Sequence, residues 1–259
     1  ILTMVIILAI AYAVKSAVNK GGLVPKGIAG VMEFAVEALY NLNESTVGKK
    51  WAKLVFPWFA TIMIYVLVVN LVKLIPGFET IGLLHHYEGG HATQHLFGNV
   101  YTVLAGEEVH EGYVVTPFFR ALSTDLNFTA ALALLSVTAT QVVGFQTQGV
   151  KYLSKFFNVR HLFDKPFFGA MDFLVGLLEL ISEFSKILSF AFRLFGNMFA
   201  GMVLLALVGS LIPAFTIVPS MIMMFEFFIG LIQAFVFGML TMVFMSQATQ
   251  GHGDEDHHE

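Results

Sequence analysis

The sequence contains no cysteine, and charged residues make up only 12% of it. The first absence excludes disulfide bonds and metal sites built on thiolates. The second, together with 57% hydrophobic residues and a mean hydropathy of +0.77, excludes an ordinary soluble domain. A phosphate-binding Gly-x-x-x-x-Gly-Lys-Ser/Thr loop is also missing, so we do not expect this chain to hydrolyse ATP itself. What remains is a membrane protein built from helices of about 20 apolar residues.

Apolar runs predict an all-α polytopic membrane protein with about five membrane-crossing helices in a single membrane domain. Because the chain begins inside such a run, we expect the natural N-terminus to lie further upstream. The predicted elements are a first span at 1–18, an amphipathic surface helix at 24–43, a second span at 54–74, an extracytoplasmic loop at 76–124, a third span at 126–150, a long tilted hairpin at 167–208 and 218–246, and a disordered acidic tail at 251–259.

The sequence says more about two of these elements, the helix at 24–43 and the loop at 76–124. The helix at 24–43 fits a helix lying on the membrane surface and, equally well, a helix packed on its own protein. Within the long loop, residues 98–118 predict a β-hairpin around Gly106, Glu107 and Glu108.

The basic residues predict the orientation in the membrane. The 76–124 loop contains only Arg120, whereas most of the fourteen Lys and Arg residues lie in two other loops. Since basic loops stay in the cytoplasm, we expect the N-terminus outside and the C-terminus in the cytoplasm. The residues of the two basic loops are Lys15, Lys20, Lys26, Lys49, Lys50 and Lys53, then Lys151, Lys155, Arg160 and Lys165.

The stretch 167–208 carries charges where a membrane helix should have none. At 100° per residue, its charged and amide groups after Asp172 fall within an arc of about 80–100°. A charge at mid-bilayer costs at least about 2.5–3.5 kcal/mol, so their alignment indicates a function. If helical throughout, the stretch is about 60 Å long, twice the membrane core, and the unbroken polar stripe favours a tilted helix over a broken one. The aligned groups are Glu179, Glu183, Lys186, Arg193 and Asn197.

The last helix repeats this pattern more sparsely. Glu226 and Gln233 lie seven residues apart on one face, and Gly230 between them leaves room for another helix. Carboxylates can relay protons and amides can hold water, but the guanidinium of Arg193 cannot lose its proton and interrupts a continuous proton wire. The pattern therefore predicts two partial aqueous paths separated by a barrier. A carboxylate on a moving partner would carry the proton past that barrier.

The run from Ser189 to Gly201, S-F-A-F-R-L-F-G-N-M-F-A-G, resembles the signature of subunit a of the rotary F-type ATP synthase. The match extends to Glu179, Ser185 and Lys186, to Gln233-Ala-Phe, and to the segment 123–129. In coarse layout it covers most of the chain, but only weakly the loop 76–122 and the tail. The resemblance implies a non-catalytic, proton-translocating stator subunit of a bacterial plasma membrane. The implied partners are the c-ring, b-type peripheral stalk subunits, the rest of the complex and the lipid bilayer, with no cofactor, metal or nucleic acid.

The resemblance also implies residue roles. Arg193 matches the essential arginine that faces the c-ring carboxylate, and Glu179 matches the acid of the cytoplasmic half-channel. Glu226 falls where members carry His or Glu in the outer half-channel. Nine residues after the arginine, where some members carry Glu, this chain has Met202, which looks like an exchange of positions with Glu226. The remaining matches are Asn197 and Gln233 near the arginine and Asp125 near the outer entrance.

Other interpretations stay open. Glu183 and Lys186, three residues apart, also fit a plain internal ion pair. Arg193 also fits the anion site of a secondary transporter, although the internal repeat typical of transporters is not evident. His91 and His95, at a spacing of four, would fit a metal site on a helix, but solvated loop histidines are the simpler interpretation.

Overall fold

The computed structural model describes residues 2–20, 28–75, 81–88, 91–97, 100–108, 111–118, 122–150, 152, 166–211 and 217–250. Three sequence predictions lie outside these residues. They are the start of the surface helix at 24–27, the basic residues Lys151, Lys155, Arg160 and Lys165, and the acidic tail at 251–259.

The described residues contain six α-helices, and four of them are long and apolar enough to cross a membrane. The all-α polytopic fold class is therefore confirmed. In the first helix the apolar part is the shorter segment Thr3–Tyr12, so the fifth crossing stays a prediction. The helices are α1 Leu2–Lys20, α2 Ile28–Val47, α3 Ala52–Val72, α4 Leu126–Gln148, α5 Pro166–Leu211 and α6 Ile217–Thr249.

Helix α5 is one uninterrupted helix of 46 residues. Its length of about 70 Å, at about 1.5 Å per residue, exceeds the membrane core by more than a factor of two. Pro166 occupies the first helical position, where its missing N–H costs nothing. The alternative of a helix broken at a glycine is excluded, and the tilt in the membrane stays a prediction.

The segment predicted as a long loop contains a four-stranded antiparallel sheet in the order β1-β4-β2-β3. The predicted hairpin between the last two strands is wrong. Residues 106–108 lie within β3, which pairs with β2, while β4 pairs along its whole length with β1. Local alternation locates strands, but the pairing of β1 with β4 is decided by contacts distant in sequence. The strands are β1 Gly82–Glu88, β2 His91–Phe97, β3 Val100–Glu108 and β4 Glu111–Pro117.

The sheet also removes the basis for the metal interpretation. His91 and His95 both lie on strand β2, not on a helix. Four residues of strand span about 13 Å, too far for two side chains to share one ion.

The chain divides into two compact units. The first comprises Ile1–Val68, Leu126–Arg193 and Gln233–Glu259, and the second comprises Val69–Asp125 and Leu194–Ile232. The core of the first unit packs Phe59 and Met63 of α3 against Val143 of α4 and Met242 of α6. Gly238 of α6 permits this approach, because a Cβ added there would lie 2.8 Å from the Cβ of Met63.

Candidate functional site

A cleft of about 250 Å³ opens beside Arg193 in the first unit. Several of its lining groups can bind water, and the volume far exceeds the roughly 10–15 Å³ that one water needs. Three serines spaced at helical intervals extend the polar face of α5, a signal that sequence reasoning overlooked. The cleft is lined by Ser182, Ser185, Lys186, Ser189, Phe190 and Arg193 of α5 and by Leu240 and Phe244 of α6.

A larger cleft, of about 700 Å³, lies between α4 and α5 in the same unit. Its wall is apolar apart from Thr138, Gln141 and Glu183. The smaller cleft is therefore the better candidate for holding water next to Arg193.

Arg193 lies at the boundary between the packed and the open faces of α5. Phe190 is buried, with its ring centroid 4.7 Å from that of Phe237, whereas Ser189 is exposed. Gly196, one turn further on, faces open space. No carboxylate of the described residues forms an ion pair with Arg193. Its positive charge is therefore not neutralised by the described part of its own chain.

Glu183 and Lys186 form an ion pair, as their spacing predicted. The Lys186 Nζ donates a hydrogen bond of 2.8 Å to Glu183 Oε1, and both side chains are largely buried. The ammonium also lies 4.8 Å from the centroid of the Phe244 ring, a cation–π contact that fixes its position. Lys186 is thus held by α5 and α6 together, at the edge of the cleft.

Tyr152, which follows α4, brings a hydroxyl to this region that sequence reasoning missed. Its phenol donates a hydrogen bond of 2.7 Å to Gln141 Oε1. Gly144 makes room for the ring, because a Cβ there would lie 2.6 Å from two ring carbons. Burial, with smaller contributions from the negative charges of Glu183 and Glu179, raises the pKa of Tyr152 to about 12. The two acids of α5 therefore lie close to the end of α4.

In the second unit, Glu226 forms an ion pair with a residue that the sequence predictions did not include. The Nζ of Lys73 lies 3.1 Å from Glu226 Oε2, and each side chain is only 7% exposed. Gly201 of α5 clears space for the carboxylate, because a Cβ there would lie 2.7 Å from Glu226 Oε1. The position of Lys73 gave no clear signal in the sequence, since a lysine at the end of an apolar span can extend its ammonium to the membrane surface.

The predicted close approach of another helix at Gly230 is confirmed. Asn70 of α3 donates a hydrogen bond of 3.2 Å from Nδ2 to the Gly230 carbonyl oxygen. Of the other candidates, Gln233 is buried, whereas Asn197 and Asp125 are exposed. The structure thus groups Glu179, Glu183 and Lys186 with Tyr152 in the first unit, and Glu226 with Lys73 in the second.

Comparison with known proteins identifies the family. The family model for the ATP synthase A chain matches residues 1–246. The chain belongs to this family. ATP synthase subunit a of Mycobacterium ulcerans is 29% identical over 254 residues, which are 98% of this chain and 85% of the relative. ATP synthase subunit a 2 of Syntrophotalea carbinolica is 28% identical over 237 residues, 90% of this chain and 78% of the relative.

Membership of the ATP synthase A chain family confirms the resemblance drawn from the R-L-F-G-N motif. Chains of this family are non-catalytic, proton-translocating subunits of the membrane part of ATP synthase, and the four apolar helices agree with a multi-pass membrane protein. Membership of this family excludes the interpretation of the chain as a secondary transporter.

Proposed function

We propose that this subunit provides two offset aqueous half-channels separated by Arg193, which faces a carboxylate of the c-ring. The observation that carries the proposal is the contrast between Arg193 and its neighbours. Glu183 and Glu226 each have a lysine partner, whereas no carboxylate of the described residues pairs with the guanidinium. A cation in an apolar helix needs a counter-charge, and a partner's carboxylate would supply it.

The surface beside Arg193 supports contact with such a partner. At helical spacing from the arginine, α5 exposes Ser189, Gly196, Asn197 and Ala200. Small side chains let a neighbouring helix approach closely. The c-ring would pack here, with b-type stalk subunits elsewhere on the chain.

The inner half-channel would run along the serine-lined cleft towards Arg193. Glu179 and Glu183 lie near Tyr152, which follows α4 and adjoins the basic 151–165 segment that the sequence predicts to be cytoplasmic. Protons released from the ring carboxylate near Arg193 would leave through this path, because a nearby cation favours the ionised carboxylate.

The outer half-channel would reach the ring through Glu226. Its ion-pair partner Lys73 follows α3 and adjoins the 76–124 segment, predicted to lie outside. The Glu226 carboxylate lies against Gly201, the residue before Met202. A carboxylate carried by α6 thus stands next to the position at which some family members carry one on α5, which supports the exchange of positions. Asp125, exposed before α4, would lie near the entrance.

The proposal includes the orientation that the basic loops predict, with the N-terminus outside and the C-terminus in the cytoplasm, in a bacterial plasma membrane. Proton flow from the outer path to the inner path would then require a turn of the ring, which couples the flow to ATP synthesis.

The test is Arg193→Ala in vesicles containing the whole ATP synthase. We expect ATP-driven proton pumping to be lost while ATP hydrolysis and assembly persist. Arg193→Lys is the matched control, because it keeps a positive charge but loses the two-pronged geometry of the guanidinium, and we expect it to pump more than Arg193→Ala. Pumping by Arg193→Ala at the rate of the unaltered complex would refute the barrier role.

A further inference from the structure

Lys73 is a buried cation to which the proposed mechanism assigns no task. It lies directly after α3, and its Nζ is 3.1 Å from Glu226 Oε2. Both side chains are 7% exposed, so water does little to screen their attraction. A buried pair of this kind rarely stabilises a fold more than apolar residues of the same size would. Its presence therefore calls for an explanation other than stability.

Three helices fix the position of the Glu226 carboxylate. One turn before Lys73, Asn70 ties α3 to α6 through its hydrogen bond to the Gly230 carbonyl. This bond fixes how α3 and α6 are aligned along their lengths, and so where the Lys73 ammonium contacts Glu226. From α5, Gly201 lies against Oε1, because an added Cβ would lie 2.7 Å from that oxygen. In this arrangement Oε2 faces Lys73 and Oε1 faces α5.

The two oxygens of Glu226 are not equivalent. Oε2 accepts the ammonium of Lys73, whereas Oε1 is buried and accepts no hydrogen bond within the described part of the chain. An orphaned carboxylate oxygen is costly unless a water or a proton reaches it. Oε1 is thus the atom available for proton uptake, and it faces α5.

We propose that Lys73 is a positioning residue of the outer path, which holds the Glu226 carboxylate by Oε2 and so keeps Oε1 turned towards α5. The inference rests on the proposed role of Glu226 as a proton relay. A proton arriving from outer water forms an O–H bond at Oε1, and that bond breaks when the proton passes to the ring carboxylate. The ammonium holds Oε2 through both steps, so Oε1 stays on the side of the carboxylate that faces α5.

The first experiment compares Lys73→Met with Lys73→Arg in the whole complex, measuring ATP-driven pumping in vesicles. Methionine leaves Glu226 without a counter-charge, and we expect pumping to fall roughly tenfold or more. Arginine restores the charge and should recover most of the rate. Lys49→Met is the matched control, since Lys49 forms a 3.9 Å pair with Glu44 on an exposed surface and its loss should leave pumping unchanged. Equal pumping by Lys73→Met and the unaltered complex would overturn the proposal, as would failure of arginine to rescue.

A second measurement reports the contact of the Glu226 carboxylate with Lys73. The infrared stretching bands of this carboxylate, identified by their loss in Glu226→Gln, should shift in Lys73→Met, because the ammonium that contacts Oε2 is gone. Bands at the same position in Lys73→Met and in the unaltered complex would contradict the proposal.

If Lys73→Met fails to assemble, a variant that exchanges the two charged residues tests the proposal instead. Lys73→Glu/Glu226→Lys preserves the buried pair but moves the carboxylate away from Gly201. We expect this variant to assemble and to pump roughly tenfold more slowly or worse. Pumping near the unaltered rate would show that the pair is merely structural.

Glu226→Gln separates failure of this inference from failure of the relay. If Glu226→Gln slows pumping and Lys73→Met does not, Glu226 is a relay that needs no lysine. If neither slows it, the relay role itself is wrong.

Discussion

Gly201→Ala is expected to slow proton passage by displacing Glu226. The added Cβ would stand 2.7 Å from Glu226 Oε1 and 3.1 Å from Cδ, whereas ordinary contact begins at 3.4 Å. The carboxylate would therefore have to move by at least 0.7 Å. Because it is the end of a flexible side chain, it can move at little cost in stability. A misplacement of about 1 Å at a reacting group costs up to about 100-fold in rate, so we expect pumping to fall roughly tenfold.

The assay is ATP-driven acidification of vesicles that carry the assembled complex, normalised to ATP hydrolysis. Gly196→Ala is the control for replacing a helical glycine by alanine, which raises helix propensity. A Cβ at residue 196 meets nothing within 4 Å, so the stability of the complex should not fall. The same Gly201→Ala change in a Glu226→Ala background should have no further effect, since the clashing carboxylate is gone. A tenfold loss in that background as well would refute the assigned cause.

Glu226→Gln should slow pumping more than Glu226→His, because an imidazole still exchanges protons near neutral pH; equal rates would exclude Glu226 as a relay. A titration of tyrosine absorbance should show Tyr152, identified by its loss in Tyr152→Phe, ionising near pH 12, and Gly144→Ala should return it towards the ordinary pKa of about 10. The raised pKa contributes stability that is fully present below about pH 10 and is lost as the pH rises through about 12, so the melting temperature of Tyr152→Phe should depend less on pH in that range. Ser136→Ala removes a buried 2.7 Å hydrogen bond to Thr241 and should lower the unfolding free energy by about 0.6 kcal/mol, the average for such bonds in membranes; a loss above about 2 kcal/mol would contradict the weak contribution assigned to it.

The polar groups within single helices were predictable, because helical spacing alone places them. Glu183 and Lys186 pair at i, i+3, and Gly230 admits a neighbouring helix, as the sequence indicated. The apolar runs located the four long helices for the same reason. Such features depend on the 3.6-residue period and on the cost of charge in lipid, both of which are local.

Features that join distant segments were not predictable. Lys73 follows α3 and Glu226 lies in α6, and neither local pattern shows that Gly201 of α5 lies against the carboxylate. Tyr152 fits over Gly144 of α4, and nothing in the local pattern around either residue indicates that contact. The partners of the β-strands were missed for the same reason, since β-pairing depends on contacts remote in sequence.

The most direct test of the central claim is a disulfide cross-link from the face of α5 that carries Arg193. The chain has no cysteine, so one introduced residue is unique in it. Ala200→Cys lies two turns from Arg193 on the same exposed face, and Phe199→Cys lies on an exposed face about 120° away. Paired with a cysteine beside the c-ring carboxylate, Ala200→Cys should cross-link and Phe199→Cys should not. No cross-link from Ala200→Cys, with one from Phe199→Cys, would contradict the claim that Arg193 faces the ring.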